Sequence, residues 1–373
     1  MKRTERYYGT LIRRERLRRN WSQEGLCRGI CAVSYLSKIE QGRVSASEEV
    51  LTALLNRLEI PVGQEWEERV EEAYEAMFSG YHDTLRDMLA DLPANAPLDL
   101  LLMRAWLDCA GPLERELEAC MEGRQLAMQR LLQGRYEEAI SLCPNAFFYY
   151  SGGKYTYIRG RNDPYLLEQL QTAFALASQE GRPMVMLLAQ ITMGTCYSIR
   201  IDTENMERHY LIAERLAKAL GEEAYLADIR YNRAATWLEA GEYEKAYAFF
   251  SSLPDPNGLS LHKLAVCCEK LGRPQEALSA LKRAETAIRE EEKGELLGKL
   301  CVVVRFRLEH PDYLSCPEYG ERLLGCFDYL QKKAPIGFAA FHLPWVLEWY
   351  RANRQYKLAC DLLVDFPAKY GLR

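Results

Sequence analysis

Apolar residues recur along this chain at the three- and four-residue spacings of a helix with one buried face. Val50, Leu51, Leu54, Leu55 and Leu58 form such a stripe over Glu48–Leu58. Alternating β-branched runs joined by Asn-Gly turns, the mark of hairpins, are almost absent. Residues 9–58 predict five short helices. The first runs over about Tyr7–Arg19, with Ile12 and Leu17 as its apolar contacts, and Asn20 ends it. Ser22 suits the N-cap of Gln23–Arg28. Gly29-Ile30-Cys31-Ala32 is a turn, Val33–Gln41 the next helix, and Gly42 its end. Ser45 or Ser47 then caps Glu48–Leu58. The pattern breaks at Pro61-Val62-Gly63, at Pro93-Ala94-Asn95-Ala96-Pro97 and at Pro254-Asp255-Pro256-Asn257-Gly258. Between the first two breaks, Gln64–Phe78 is acidic with a thin stripe of Trp66, Val70, Ala73 and Phe78. That stripe fits a linker helix covered by a partner.

From about residue 120 the chain repeats. Gly134-Arg-Tyr136-Glu-Glu-Ala139, Gly241-Glu-Tyr243-Glu-Lys-Ala246, Gly272-Arg-Pro274-Gln-Glu-Ala277 and Arg354-Gln-Tyr356-Lys-Leu-Ala359 each end one helix and open the next. The polar residues make the turn, the aromatic plugs the junction, and the small Ala lets two antiparallel helices approach. Phe250, Leu281 and Leu363 follow four residues after the Ala, and Leu253, Ala284 and Phe366 seven after, on one face of the second helix. Weaker copies carry Gly194, Met206, Tyr210 and Ala213, or Leu170, Phe174 and Ala177. The pattern resembles the tetratricopeptide repeat, a helix pair of about 34 residues. Six or seven copies fit residues 98–373. Such arrays form a right-handed superhelix with an open concave face.

Charge divides the chain. Residues 1–45 hold eleven Lys and Arg against four acids, a net +7. The whole chain of 373 residues is −5, leaving −12 for the remainder. A basic head on an acidic body points the head alone at a polyanion. The basic first residues lack an apolar core for a secretory signal, and no long uninterrupted apolar run predicts a membrane span, so the expectation is cytoplasmic, with no membrane partner. Twelve cysteines without a CxxC pair and five scattered histidines fit reduced thiols rather than a disulfide framework or a metal site.

Three segments carry a more specific signal: Gly9-x-x-Ile12-Arg13-x-x-Arg16, Trp21-Ser22-Gln23-Glu24-x-Leu26 and Ser34-Tyr35-Leu36-Ser37-Lys38-Ile39-Glu40-Gln41-Gly42. They resemble the Xre-type, phage-repressor-like helix-turn-helix. Followed by repeats, they are similar to the RRNPP family of peptide-pheromone-responsive regulators. The resemblance implies an all-α chain: an N-terminal five-helix phage-repressor-like domain (residues 1–62), a linker helix and first array helices (63–97), and a right-handed tetratricopeptide-like superhelix for peptide binding and dimerisation (98–373). It also implies an internal Arg16–Glu40 ion pair, with Leu36 and Ile39 in the core. Two positions depart from the pattern: Ala32 lacks a capping side chain, and Gly25 sits inside a helix. The second helix of such a motif enters the major groove. Val33, Ser34, Ser37 and Lys38 then project toward bases. Gln23 is placed for a phosphate, and Arg18, Arg19 and Arg43 add backbone affinity. Reading two half-sites calls for a homodimer.

In the array, counting back fourteen from each repeat position reaches the middle of the first helix: Gln125, Thr156, Thr192, Asn232, Lys263 and Trp345. Pro344 fits poorly there. The candidate peptide-binding set is Asn232 with Tyr231, Ala235, Thr192, Thr195, Tyr155, Arg159, His262 and Lys263. Side-chain amides such as that of Asn232 both donate to and accept from a peptide backbone. His262, Lys263 and Arg159 are candidates for a peptide carboxylate, or singly for solvated surface. Gly152-Gly153-Lys154 lacks the spacing of a phosphate loop. No catalytic residue, metal or cofactor is expected. The expected function is transcription regulation through operator DNA, under a short signalling peptide of quorum-sensing type. The alternatives are an array that sequesters a protein such as a response regulator, or one that only dimerises a peptide-independent repressor.

Overall fold

A computed structural model describes residues 3–60, 64–93, 96–158, 164–287 and 294–370, and among these no strand occurs. The chain forms two compact units, Met1–Gly152 with Gln171–Met186, and Gly153–Leu170 with Leu187–Arg373.

The first unit opens with α1 (Arg3–Arg18), α2 (Gln23–Cys27), α3 (Val33–Glu40) and α4 (Glu48–Arg57). Residues 9–58 thus hold four helices, and the fifth is α5 (Gln64–Ser79). The caps follow the sequence. Asn20 takes a left-handed φ of 54°. The Ser22 hydroxyl accepts from the Gly25 N–H at 2.9 Å, and that of Ser47 from the Val50 N–H at 3.4 Å, whereas Ala32 caps α3 without a side chain. Leu11, Ile12, Leu26, Leu36, Ile39, Leu54, Leu55 and Leu58 make the core. Leu17, expected as a core contact, is 53% exposed. The face of α1 that carries Leu11 and Ile12 continues at i+4 with Glu15 and Arg16, and Leu17 points off it. Arg16 donates to both Glu40 oxygens, at 2.6 and 2.9 Å, and to the Trp21 carbonyl at 2.8 Å. This buried bidentate pair ties α1 to the end of α3.

The chain itself covers part of the α5 stripe expected to meet a partner. Ala73, Tyr74, Met77 and Phe78 are its buried face, while Trp66 and Val70 are only half-buried. It packs with α6 (His82–Leu89) and α7 (Leu98–Leu107), followed by α8 (Arg115–Glu118), α9 (Gly123–Leu132) and α10 (Tyr136–Leu142). The Tyr74 hydroxyl donates to Asp99 at 2.7 Å. On the acidic side Arg124 pairs with Glu71, and Arg182 donates to Glu75 at 3.2 Å and to Ser79 at 2.7 Å. Glu71 and Glu75 of α5 therefore have cations on their own chain, which the sequence spacing does not reveal.

The remaining helices are α11 (Ala146–Ile158), α12 (Pro164–Glu180), α13 (Pro183–Ile199), α14 (Thr203–Leu220), α15 (Glu223–Glu239), α16 (Tyr243–Ser252), α17 (Gly258–Lys270), α18 (Pro274–Ala287), α19 (Gly294–Glu309), α20 (Pro317–Lys333), α21 (Ile336–Ala352) and α22 (Tyr356–Tyr370). Among the described residues, the helices from α9 onward follow one another in chain order as seven successive pairs. The repeat alanines Ala139, Ala213, Ala246, Ala277 and Ala359 are all buried. At Gly194 the close approach is tighter still: a Cβ there would collide with the Tyr210 ring. The α19/α20 pair lacks the repeat's turn sequence. A short 3₁₀ turn at Tyr313–Ser315 leads into α20, where Gly320 lies against the Trp349 indole in place of an alanine. Pro344 sits inside α21, which continues through it. Leu363, expected on the packed face of the last helix, is exposed, and Ala359, Phe366 and Tyr370 are buried instead.

Two stability outcomes follow. Gly194→Ala is expected to lower stability by about 1–3 kcal/mol, because ring and backbone must move apart. Urea unfolding with an unshifted midpoint would contradict this. Arg16→Ala leaves Glu40 buried without its counter-charge, at a cost of about 3–5 kcal/mol. Hydrogen exchange reads it directly: the α3 amides should lose protection, and wild-type protection would refute the role given to the pair.

Candidate nucleic-acid interface and ligand groove

One face of α3 is held and the other is free. Leu36, Ile39 and Glu40 point inward. Val33 is 42% exposed, and Ser34 and Lys38 are exposed, with no side-chain hydrogen bond or ion pair among the described residues. Ser37 is half-buried, and its hydroxyl accepts from the Gln41 amide at 3.1 Å. Arg43 is exposed just beyond the helix, in a polar cleft shared with Arg13 and with Glu116 of α8. A 3.6-residue period accounts for the division: residues 33, 34, 37 and 38 follow one face, and 36, 39 and 40 the other.

Two expected phosphate contacts turn inward. The Gln23 amide donates to Glu40 at 2.8 Å, completing the network around Arg16. Arg19 donates to the Leu58 carbonyl at 2.6 Å and to Glu59 at 3.1 Å, fastening α1 to the end of α4. Acceptors of their own chain hold both side chains, and only the tertiary arrangement supplies those acceptors. Arg18 is exposed, with its Nε donating to Glu15 at 2.8 Å.

In the second unit the first helices of successive pairs supply the groove positions. Asn232 on α15 is half-buried, and its side-chain amide makes no hydrogen bond among the described residues. Ala235 and Tyr155 are half-buried. Tyr231 buries its hydroxyl without a partner among the described residues, and its ring meets Phe250 edge-on at 5.8 Å. Thr192 and Thr195 are turned to structure: each hydroxyl donates at 2.8 Å to the carbonyl four residues earlier, Leu188 and Ile191. Arg159 lies outside the described residues.

His262 and Lys263 are neither solvated nor open to a peptide carboxylate: they are 1% and 5% exposed. Aromatic residues of α21 cover them. Lys263 Nζ lies 3.0 Å from the centroid of the Phe341 ring, and the His262 ring faces His342 at 6.4 Å. Arg307 of α19 ion-pairs with Glu269 at 2.8 Å and lies 4.3 Å from the Trp345 ring. Desolvation drives the two histidines, Lys263 and the nearby Glu239 toward their neutral forms. It holds His262 well below the usual imidazole range, takes His342 down to about 3, lowers Lys263, and raises the Glu239 carboxyl, which Lys263 partly offsets. A cavity of about 300 Å³ remains between α15, α17 and α21, with Glu239, Lys270 and Glu348 on its wall. Counting back fourteen from each repeat position reaches Trp345 on this wall but neither Glu239 nor Lys270. They lie seven residues after Asn232 and Lys263, on the same helix faces, and that spacing is the signal that finds them.

Among the described residues no group of three or more His, Cys, Asp or Glu is placed to hold a metal ion, and no helix is long and apolar enough to cross a membrane.

The comparisons agree with this architecture. A family described as a helix-turn-helix domain matches residues 8–67. No curated protein matches the sequence. Among solved structures, a Rap protein complexed with competence and sporulation factor is similar at 15% identity and a TM-score of 0.63, over 83% of this chain and 100% of that one. Aspartyl phosphate phosphatase F from Bacillus subtilis is similar at 14% identity and a TM-score of 0.52, over 83% of this chain and 95% of that one. Bacillus thuringiensis PlcR in complex with the peptide PapR7 and DNA overlays at 16% identity over 79% of this chain and 99% of that one, with a TM-score of 0.35. The likenesses are of fold: a helix-turn-helix domain ahead of a tetratricopeptide-like array of the Rap kind, and in this the chain resembles the RRNPP regulators.

Proposed function

We propose that the protein is a DNA-binding transcription regulator that reads operator bases with α3 and takes a short signalling peptide on the concave side of its array. The observation that carries the first half is the free face of α3. Val33, Ser34 and Lys38 stand clear of the fold, while the opposite face is fixed by the core and by the Arg16–Glu40 pair. Lys38 suits guanine O6 and N7, Ser34 suits several base edges, and Val33 a thymine methyl. Ser37, Arg18 and Arg43 flank them, the arginines adding salt-sensitive contacts to phosphates. One such module reads one half-site, so the working species is a homodimer.

The second half rests on Asn232. Its unpartnered amide on an inner helix suits a peptide backbone of any sequence. Solved as a complex with competence and sporulation factor, the Rap protein supports a ligand role for an array of this fold. The competing reading, an array that only joins protomers, gains from the aromatic residues of α21 that narrow the groove. The cavity that remains is still within the size range of ligand pockets.

An operator selected from random duplexes supplies the DNA probe. Lys38→Ala should weaken its binding by about 1–3 kcal/mol in an anisotropy titration; unchanged affinity would remove α3 from the interface. A heptapeptide selected on the purified protein should lose its calorimetric signal in Asn232→Ala while the helical circular dichroism persists. Normal binding by that variant would end the peptide assignment to this face. Light scattering at micromolar concentration should exceed the 43.0 kDa of one chain; a monomer alone would exclude the homodimer.

A further inference from the structure

The layer between α17, α19 and α21 buries four basic side chains, His262, Lys263, Arg307 and His342. The two imidazoles are each 1% exposed. Their rings are nearly parallel, with an interplanar angle of 19° and centroids 6.4 Å apart. The Phe338 carbonyl, 2.7 Å from His342 Nδ1, accepts a hydrogen bond from it, so the neutral ring keeps Nε2 as a lone pair. Among the described residues neither His342 Nε2 nor either ring nitrogen of His262 has a hydrogen-bond partner. A further proton on either ring creates a buried N–H with nothing to accept it.

The surrounding charges also act against protonation. Burial is the largest influence on both rings, and Lys263 of α17 and Arg307 of α19 add to it, as does His342 at His262. The Phe338 carbonyl, and at His262 the backbone of Leu300 in α19, act in the opposite sense without overcoming it. The carboxylates of this layer are committed elsewhere. Glu239 of α15 acts on Lys263, and Glu269 of α17 with Glu348 of α21 acts on Arg307. The ring faces are taken as well: Phe341 by Lys263 at 3.0 Å, and Trp345 by Arg307 at 4.3 Å. A third cation in this layer finds those carboxylates and ring faces occupied.

We infer that the contact of α17 with α21 is an acid-sensitive latch, closed while His262 and His342 are neutral and opened when they take up protons. Burial sets the sense of the switch. Away from this layer an imidazole titrates at about 6.5. In the closed layer His342 is taken down to about 3, and His262 lies well below its usual range. The open form therefore binds protons that the closed form refuses. The latch is fully closed above about pH 6.5 and loosens as the pH falls below that value. Between pH 7 and pH 5 each histidine shifts the closed-to-open ratio by about 25-fold. Opening releases α21, whose Phe341 and Trp345 line the cavity, so acid changes the inner face of the array whatever that face binds.

Deuterium exchange at the imidazole C2–H, followed by mass spectrometry on the full-length protein, reads each histidine separately. His262 and His342 should titrate at least one pH unit below about 6.5; an ordinary titration of both rings overturns the inference. Amide hydrogen exchange, corrected for the intrinsic rate, should show the protection of α17 and α21 falling by about a hundredfold or more from pH 7 to pH 5, while α1–α4 keep theirs. His209 of α14, half-buried and stacked on Tyr197, is lowered by burial too, so substitution isolates the pair. His262→Phe and His342→Phe should each remove about 25-fold of the acid effect, and the double variant nearly all of it, whatever their protection at pH 7. Loss of protection that begins in the head, an equal loss along the whole chain, or wild-type acid sensitivity in the double variant overturns the latch.

Discussion

The structure depends on how closely two helices can approach at their crossing. Each helix pair is amphipathic and cannot bury its apolar face alone. It buries that face only if the partner's backbone comes near, and a side chain larger than a methyl at the crossing prevents this. Ala139, Ala213, Ala246, Ala277 and Ala359 meet the requirement with one methyl group. Gly194 and Gly320 meet it with none, each under an aromatic ring of the facing helix. Large residues such as Phe250, Leu281 and Leu323 then fill the space on either side.

In the head the corresponding constraint is polar. Arg16, Glu40 and Gln23 form a closed network beneath α3, and Arg19 clamps the end of α4. A network satisfied in this way fixes the orientation of the helix more sharply than apolar packing alone. The face it leaves outward carries Val33, Ser34 and Lys38. The same small domain thus sorts its charged residues into those that hold the helix and those that are free for a polyanion. Formal charge counts both kinds alike: of the basic residues in the first 45, Arg16 and Arg19 serve the fold.

The inner helices of the second unit are less ordinary. They bury His262, His342, Lys263 and Arg307 among Phe341, Trp345 and Tyr313. Several polar atoms there, including both His262 ring nitrogens and the Tyr231 hydroxyl, have no partner among the described residues. A core built for stability alone would use apolar residues at such positions. Phe341 and Trp345, which cover them, also line the cavity of about 300 Å³.

Sequence alone determined what local rules control. The left-handed Asn20, the Ser22 and Ser47 caps, the uncapped Ala32, the inward stripe of Leu54, Leu55 and Leu58 and the repeat alanines all depend on neighbours within a few residues. The Arg16–Glu40 pair was legible through resemblance, not spacing. Tertiary structure decided whatever depends on residues far apart in the chain. It covered α5 with Arg124 and Arg182 from its own chain, turned Gln23 and Arg19 inward, and buried His262 and Lys263 beneath α21. It also revealed the α19/α20 pair, whose glycine replaces the repeat alanine. The physical reason is the same in each case: a helix period says which residues share a face, but only the packed chain says what that face meets.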